Sequence, residues 1–270
     1  MAYLVTGASS GIGRAIAIRL ANRGHEVIAG VRRVADAPAS PRIRPLLLDI
    51  TDSAQLAAAA KEIERLDGLV NNAGVTLAGP MEYLPLDRLR EQLEINVVGL
   101  LAVTQAFMPA IRAGQGRVVM IGSAGGFVAT PFLGAYSASK FALEALSDAL
   151  RQELRPSGVP VVLVEPGSHK SQNRASTEAA VQADMERMGE EAKHHYGRAV
   201  DAFVQFCRRV EDGAGDPARV AAAVERALIT RRPRARYFVG ADVRGILMLS
   251  RLLPTGAMDA LLSRAVGLPQ

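Results

Sequence analysis

The sequence predicts an α/β chain built on a doubly wound parallel sheet, and three observations carry that reading. Short apolar runs of strand length alternate with longer amphipathic segments across residues 1–167. A glycine loop follows the first of these runs and opens directly into a helical pattern. No internal repeat and no linker-like change of composition interrupts the 270 residues, so a single domain is expected.

Tyr3 to Thr6 reads as a short buried strand. It runs into Thr6-Gly7-Ala8-Ser9-Ser10-Gly11-Ile12-Gly13, after which Ala15, Ile16, Ile18, Leu20 and Ala21 repeat at helical spacing. Glycines there permit a tight turn and close backbone approach to a ligand. The unpaired N–H groups of the helix start favour phosphate, and Ser9 and Ser10 add hydroxyl donors, so a dinucleotide site is expected. Glu26 to Gly30 is the second strand, ending in Val31-Arg32-Arg33. An NAD site offers an acid hereabouts to the adenosine ribose, and here none stands before Asp36. Guanidinium pairs well with phosphate, so Arg32 and Arg33 favour the 2′-phosphate of NADP; the plain alternative is two solvated loop arginines. Residues 35–41 are too broken by proline for a full crossover helix.

Arg44 to Leu48 is the third strand, closing on Asp49-Ile50. Asp49 either bonds an adenine amino group or, like Thr51, caps the alanine-rich helix from Ser53 to Leu66. Gly68 to Val70 is the fourth strand, and Asn71-Asn72-Ala73-Gly74 makes a turn at its carboxyl end, where open α/β sheets bind ligands. The long helix from Leu86 to Ile111 carries Asn96 among Ile95, Val97, Val98, Leu100 and Leu101. Asn is poor in mid-helix because its amide competes with the backbone, so Asn96 is either satisfied locally or kept for a purpose. Arg117 to Ile121, the fifth strand, delivers Ser123 to the same rim.

A helix from near Ala135 to Pro156 holds Tyr136 and Lys140 four residues apart, on one face. A free phenol has a pKa of about 10, and poising it near 7 takes roughly 4 kcal/mol of preferential stabilisation of the phenolate. An adjacent ammonium is a direct source of that stabilisation. Such a pair exchanges a proton with a carbonyl oxygen or an alcohol. Val159 to Val164 is the sixth strand, ending at Glu165-Pro166-Gly167.

Composition excludes several classes. The net charge of +5 is scattered rather than striped and aromatic residues make up 4%, which argues against nucleic acid. The single Cys207 rules out an internal disulfide and fits a reducing, cytoplasmic setting. No signal peptide, no uninterrupted apolar run of membrane-spanning length and no metal-ligand cluster is read, so an integral membrane segment and a metal are not expected.

Taken in order, Thr6-Gly7-x-x-x-Gly11-x-Gly13, Asn71-Asn72-Ala73-Gly74, Asn96, Ser123, Tyr136-x-x-x-Lys140 and Pro166-Gly167 give the chain its resemblance to the short-chain dehydrogenase/reductase family. The likeness is close from Ala2 to about Ser171 and looser beyond. It implies a Rossmann-like fold and an NAD(P)-dependent enzyme interconverting carbonyls and alcohols. It also implies Tyr136 as general acid–base, Lys140 as its activator and a ribose contact, and Ser123 as the hydrogen-bond donor to the substrate oxygen. Asn96 would hold a helix kink and a proton-relay water. Asp49 and Ile50 match adenine contacts, and Asn72, Ala73 and Gly74 match the middle of the dinucleotide. The family often places a β-branched residue and then Thr after Pro-Gly, whereas here the run is Ser168-His169-Lys170-Ser171. Ser171 then supplies the hydroxyl and His169 a backbone N–H, and the imidazole is either a substrate contact or, the favoured reading, exposed.

Thr177 to Val210 reads as one or two amphipathic helices within a lid of about residues 168–212. Met185, Met188, Tyr196, Val200, Phe203 and Phe206, with Val75, Phe127, Pro131 and Phe132, either line an apolar pocket or form ordinary core. Pro217 to Thr230 is a further helix and Arg236 to Gly240 a seventh strand. The C-terminal extension, about 241–270, is amphipathic and is expected to dock on the domain or on a second subunit rather than on a membrane. These last segments resemble the steroid- and retinol-type branch, which implies a bulky apolar ketone, aldehyde or alcohol as substrate and a homodimer or homotetramer.

Overall fold

The computed structural model describes residues 1–169 and 174–268. Seven parallel strands form one sheet in the order β3-β2-β1-β4-β5-β6-β7. They are β1 (Ala2–Thr6), β2 (Glu26–Val31), β3 (Ile43–Leu47), β4 (Gly68–Asn71), β5 (Arg117–Ile121), β6 (Val161–Pro166) and β7 (Arg236–Val239). The strand order reverses between β1 and β4, which opens a crevice at their carboxyl ends.

Both faces of the sheet are covered, which is why its strands read as near-continuous apolar runs. The two-residue pleat sends Tyr3, Val5, Val119 and Val162 to a core shared with α1 (Gly11–Asn22) and α7 (Pro217–Ile229). Leu4, Val118, Met120 and Leu163 face the opposite core. There they meet α2 (Ser53–Glu62), α4 (Leu100–Gly114) and α5 (Gly134–Glu153). The helix Leu86–Gly114 is long and apolar enough to cross a membrane, yet Leu100, Val103, Phe107 and Ile111 are buried in this second core. Within it, α3 (Leu86–Leu93) and α4 are joined by a wide π turn, Glu94–Gly99.

Local outcomes follow the sequence reading in part and depart from it in part. The β2–β3 connection contains only one short 3₁₀ turn, Val34–Asp36, as the prolines imply. Helix α2 is capped by Asp52, whose carboxylate accepts from the N–H groups of Ala54 and Gln55, and neither Asp49 nor Thr51 is the cap. It stops at Glu62, short of Leu66, because the Leu66 N–H bonds the Ala110 carbonyl at 3.0 Å. Helix α6 (Arg174–Asp212), in the segment expected to form a lid, breaks at Gly189, where φ is 86°. The extension is two helices, α8 (Ala241–Leu252) and α9 (Thr255–Val266), separated at Pro254. Val266 is buried against the lid's own core of Met185, Val200 and Phe203.

Candidate active site

The first wall of the site is the turn between β1 and α1. Gly7 and Gly11 adopt φ of 63° and 52°, a left-handed region in which a side chain is strained. Gly13 is required for a different reason: a Cβ there would lie 2.3 Å from the Gly7 carbonyl oxygen and 2.4 Å from Asn72 Nδ2. Asn72 Nδ2 donates to the carbonyls of Thr6 and Gly7 at 3.0 and 3.2 Å, tying the loop to the turn after β4. Thr6 Oγ1 completes the tie by accepting from the N–H groups of Asn72 and Ala73 at 3.0 and 3.1 Å. Ser10 begins α1 without a side-chain capping bond, and no acid stands in the first turn. The helix start therefore presents donors and positive dipole to an anion.

A groove of ≈ 980 Å³ runs along this wall. Gly7 and residues 9–13 line one side, Arg32, Asp49 and Ile50 one end, and Asn72, Ala73 and Gly74 the middle. Of the two arginines, only Arg32 lines the groove; Arg33 is exposed and its Nε donates to Asp36 at 2.8 Å. Asp49 Oδ1 accepts from the backbone and hydroxyl of Thr51 at 2.9 and 2.7 Å, which fixes its carboxylate at the groove edge.

An inner cavity of ≈ 310 Å³ shares Ile12, Asn72, Gly74, Val75, Thr76 and His169 with the groove, and so adjoins it. Asn96, Ser123, Tyr136 and Lys140 all line it, together with Pro166 and Gly167. Asn96 sits in the π turn, fully buried. Its Oδ1 accepts from Val75 N at 2.9 Å, and its Nδ2 donates to Val75 O at 2.9 Å and Ser139 Oγ at 3.1 Å. Ser139 in turn donates to the Tyr136 carbonyl at 2.7 Å. The turn after β4 is thereby bolted to α5, and a widened turn at this point fits the tendency of π bulges to mark functional sites.

Lys140 Nζ lies 5.8 Å from the centre of the Tyr136 ring and donates to the Ile121 carbonyl at 2.9 Å. The expectation that this ammonium lowers the phenol pKa needs correction. Burial pushes the Tyr136 phenol above its ordinary value, and only the hydrogen bond to Ser123 works the other way. The ammonium is committed to a backbone carbonyl, and burial brings its own pKa down to about 8, against the pull of Glu144.

Other expectations are corrected too. His169 is half-buried, lines both cavities, and places Nδ1 2.9 Å from the Gly167 carbonyl, so its ring is not an exposed one. Of the apolar residues assigned to a pocket, Val75 lines both cavities among the described residues, whereas Met185, Val200, Phe203 and Phe132 are buried in the lid's core. Phe132 meets Phe203 at 5.4 Å and Phe127 meets Phe238 at 6.5 Å, both as aromatic packing. Ser171 lies outside the described residues.

The sequence reading also missed contributors. Thr6 stands at a strand end next to a glycine loop, a position that invites scrutiny. Asp242 carries no such signal: from the first turn of α8 its carboxylate accepts from Ser168 N at 2.9 Å. A Cβ on Gly167 would fall 2.2 Å from the same carboxylate, so the Pro166–Gly167 turn is moulded around it.

Comparison with known proteins agrees with this geometry. The short chain dehydrogenase family profile matches residues 2–182. The chain is 37% identical to retinol dehydrogenase 5 of Mus musculus, over 96% of this chain and 86% of that one. A short chain dehydrogenase from Burkholderia cenocepacia J2315, solved in complex with NADP, superposes with a TM-score of 0.76 at 26% identity, covering 97% of this chain and 96% of that one. A Burkholderia phymatum short chain dehydrogenase/reductase in complex with NAD shares the fold at 24% identity and a TM-score of 0.74, over 93% and 92% of the two chains. The ordered rim, the four convergent side chains and these matches lead to one conclusion: the chain belongs to the short-chain dehydrogenase/reductase family of NAD(P)-dependent oxidoreductases.

Proposed function

We propose that this protein is an NADP-dependent oxidoreductase acting on a hydrophobic carbonyl or alcohol, with Tyr136 as its general acid–base. The observation that carries the reading is the convergence of Ser123, Tyr136, Lys140 and Asn96 on one cavity beside the dinucleotide-shaped groove. The groove fits such a cofactor: a Cβ has no room at Gly7 or Gly13, Gly11 holds a left-handed φ, and the start of α1 offers unpaired donors. The glycine loop and Ser10 would hold the pyrophosphate, Asp49 and Ile50 the adenine, and Asn72 to Gly74 the middle. Arg32 would pair with a 2′-phosphate. The bound nicotinamide supplies or accepts the hydride.

The chain's own residues handle the proton. Ser123 Oγ donates to the substrate oxygen and polarises its bond to carbon. Tyr136 delivers its hydroxyl proton to that oxygen in reduction and accepts one in oxidation. Lys140 favours the phenolate that remains once its ammonium turns from the Ile121 carbonyl toward the site. Asn96 keeps Val75 and the catalytic helix in register. The kinship with a retinol dehydrogenase supports a bulky apolar substrate entering beside Val75. Exposed Val98 and Phe141, on the long central helices, support a homodimer or homotetramer, which light scattering would test.

The decisive experiment follows NADPH and NADH oxidation over a panel of apolar ketones and aldehydes, retinal included. Turnover with NADPH should fall about 10²- to 10⁴-fold in Tyr136→Phe, the range for a lost general acid. Arg32→Ser should erase the preference for NADPH while sparing NADH turnover. Full activity in Tyr136→Phe would sink the mechanism.

A further inference from the structure

Directly behind the catalytic pair lies a second set of charges for which the mechanism above has no role. Along α5, Tyr136, Lys140, Glu144 and Asp148 recur every four residues and so share one face. Arg236 of β7 reaches across to this face. Its Nη2 donates to Glu144 Oε2 at 2.8 Å and to Asp148 Oδ2 at 2.9 Å, while Nη1 donates to Asp148 Oδ1 at 3.0 Å. Its Nε stands 3.3 Å from Glu165 Oε1 without hydrogen-bond alignment. Arg151 is bonded to Asp148 at 2.9 Å.

Asp148 thus has two guanidiniums, and what remains is one edge of Arg236 for two glutamates. Glu165 is 0% exposed on β6, one strand in from the sheet edge, and both its oxygens lack a hydrogen-bond partner from the chain, as does Glu144 Oε1. Three buried carboxylate oxygens without a hydrogen-bond partner from the chain are costly if both groups are ionised. They also converge: a Cβ on Gly122 would lie 3.3 Å from Glu165 Cγ and 3.4 Å from Glu144 Oε1. Gly122 immediately precedes Ser123, and Gly126, just past it, would place a Cβ 2.9 Å from Glu144 Cγ. The loop that carries Ser123 is therefore seated on these two side chains.

We propose that Glu144 and Glu165 hold one proton between them, Glu165 as the neutral acid and Glu144 as the anion facing Lys140, making the pair positioning residues for the catalytic lysine and the Ser123 loop. The role in catalysis rests on the reading of Tyr136 and Lys140 given above; the shared proton does not. The charged groups acting on the pair are Lys140 and Asp148 of α5 and Arg236 of β7. Burial, and then Glu144, push the Glu165 carboxyl up to about 8, against Arg236, while burial also raises Glu144. Full exposure of Glu165 to water on unfolding returns it to the ordinary carboxylate range. The folded state then binds the extra proton between about pH 4.5 and 8. Stability from this group is complete below that window, declines as pH rises through it, and is level above.

The test uses the full chain and three variants. Melting temperature is followed from pH 5 to 9 for wild type and Glu165→Gln, an uncharged isostere. The wild type should lose stability relative to Glu165→Gln as pH rises to about 8 and hold a constant difference beyond. Infrared spectroscopy should show a protonated-carboxyl C=O band in the wild type at pH 6, and this band should vanish at pH 9 and be missing from Glu165→Gln. A pH-independent difference between the two proteins, or no such band in the wild type, would overturn the shared proton; the band needs no variant to fold. In steady-state turnover, Glu144→Gln should move the Lys140-linked limb of the pH–kcat profile to lower pH by about one unit, with KM little changed. Glu144→Asp should restore part of that shift, and an unmoved limb would overturn the positioning role. Tyr136→Phe, run alongside, separates the two failures, because an active Tyr136→Phe refutes the catalytic reading and leaves the melting and infrared results standing.

Discussion

Two buried polar networks flank the catalytic helix, and they are built to opposite specifications. Around Asn96 every donor and acceptor is matched: its amide meets Val75 and Ser139, and Gln92 bonds the backbone of Leu77 and Val75 at 2.8 Å. Around Arg236 one guanidinium meets three carboxylates, Arg151 helps only Asp148, and three oxygens go without a hydrogen bond from the chain. A saturated network of neutral groups fixes one geometry at any pH. An under-supplied network of charged groups is sensitive to protons, because a proton is the cheapest missing partner. The first network serves as a joint and the second as a store of charge.

Breaking each network should therefore give different signatures. Arg236→Met should have the largest effect, destabilising the fold by about 3 kcal/mol near pH 7; the low end of the range applies because Arg236 keeps partial solvent contact. The loss should shrink in acid, where Glu144, left without its guanidinium, takes up a proton, and chemical denaturation at pH 5 and pH 7 would reveal it. Asn96→Ala strands the N–H of Val75, whose carbonyl keeps Gln92, and should cost about 2 kcal/mol, equal at both pH values. An Asn96→Ala loss that varied with pH would erase the distinction drawn here. Gly126→Ala, which presses a methyl group toward Glu144, should cost about 1 kcal/mol and lower kcat more than it raises KM, since it shifts the Ser123 loop.

The same contrast explains how much could be read in advance. Gly7 to Gly13, Asn72 to Gly74, and Tyr136 with Lys140 are legible because their geometry is local: a turn, a strand end, one helical repeat. The parallel sheet follows from strands apolar on both faces, and its two cores from their pleat. The Arg236 network is hidden, because residues 92 positions apart meet only after β7 pairs with β6. The phenol pKa was misjudged because spacing reveals a neighbouring cation but neither the depth of burial nor the Ile121 carbonyl that holds it. The lid aromatics were ambiguous for a simpler reason. Phe203 and Met185 satisfy the same helical pattern whether they face a substrate or, as here, Phe132 and Val266.

The contact from Asp242 to Ser168 spans 74 residues. It redraws where the working unit ends. The family signature is complete by residue 182, and every side chain assigned to proton transfer lies earlier still. Yet the Pro166–Gly167 turn, which lines the inner cavity, is held by the first turn of α8, beyond the matched residues. A shortened version trimmed at the signature would keep all its chemical groups and lose the clasp beneath them. Changes in this distal segment can thus retune catalysis without touching any residue that performs it.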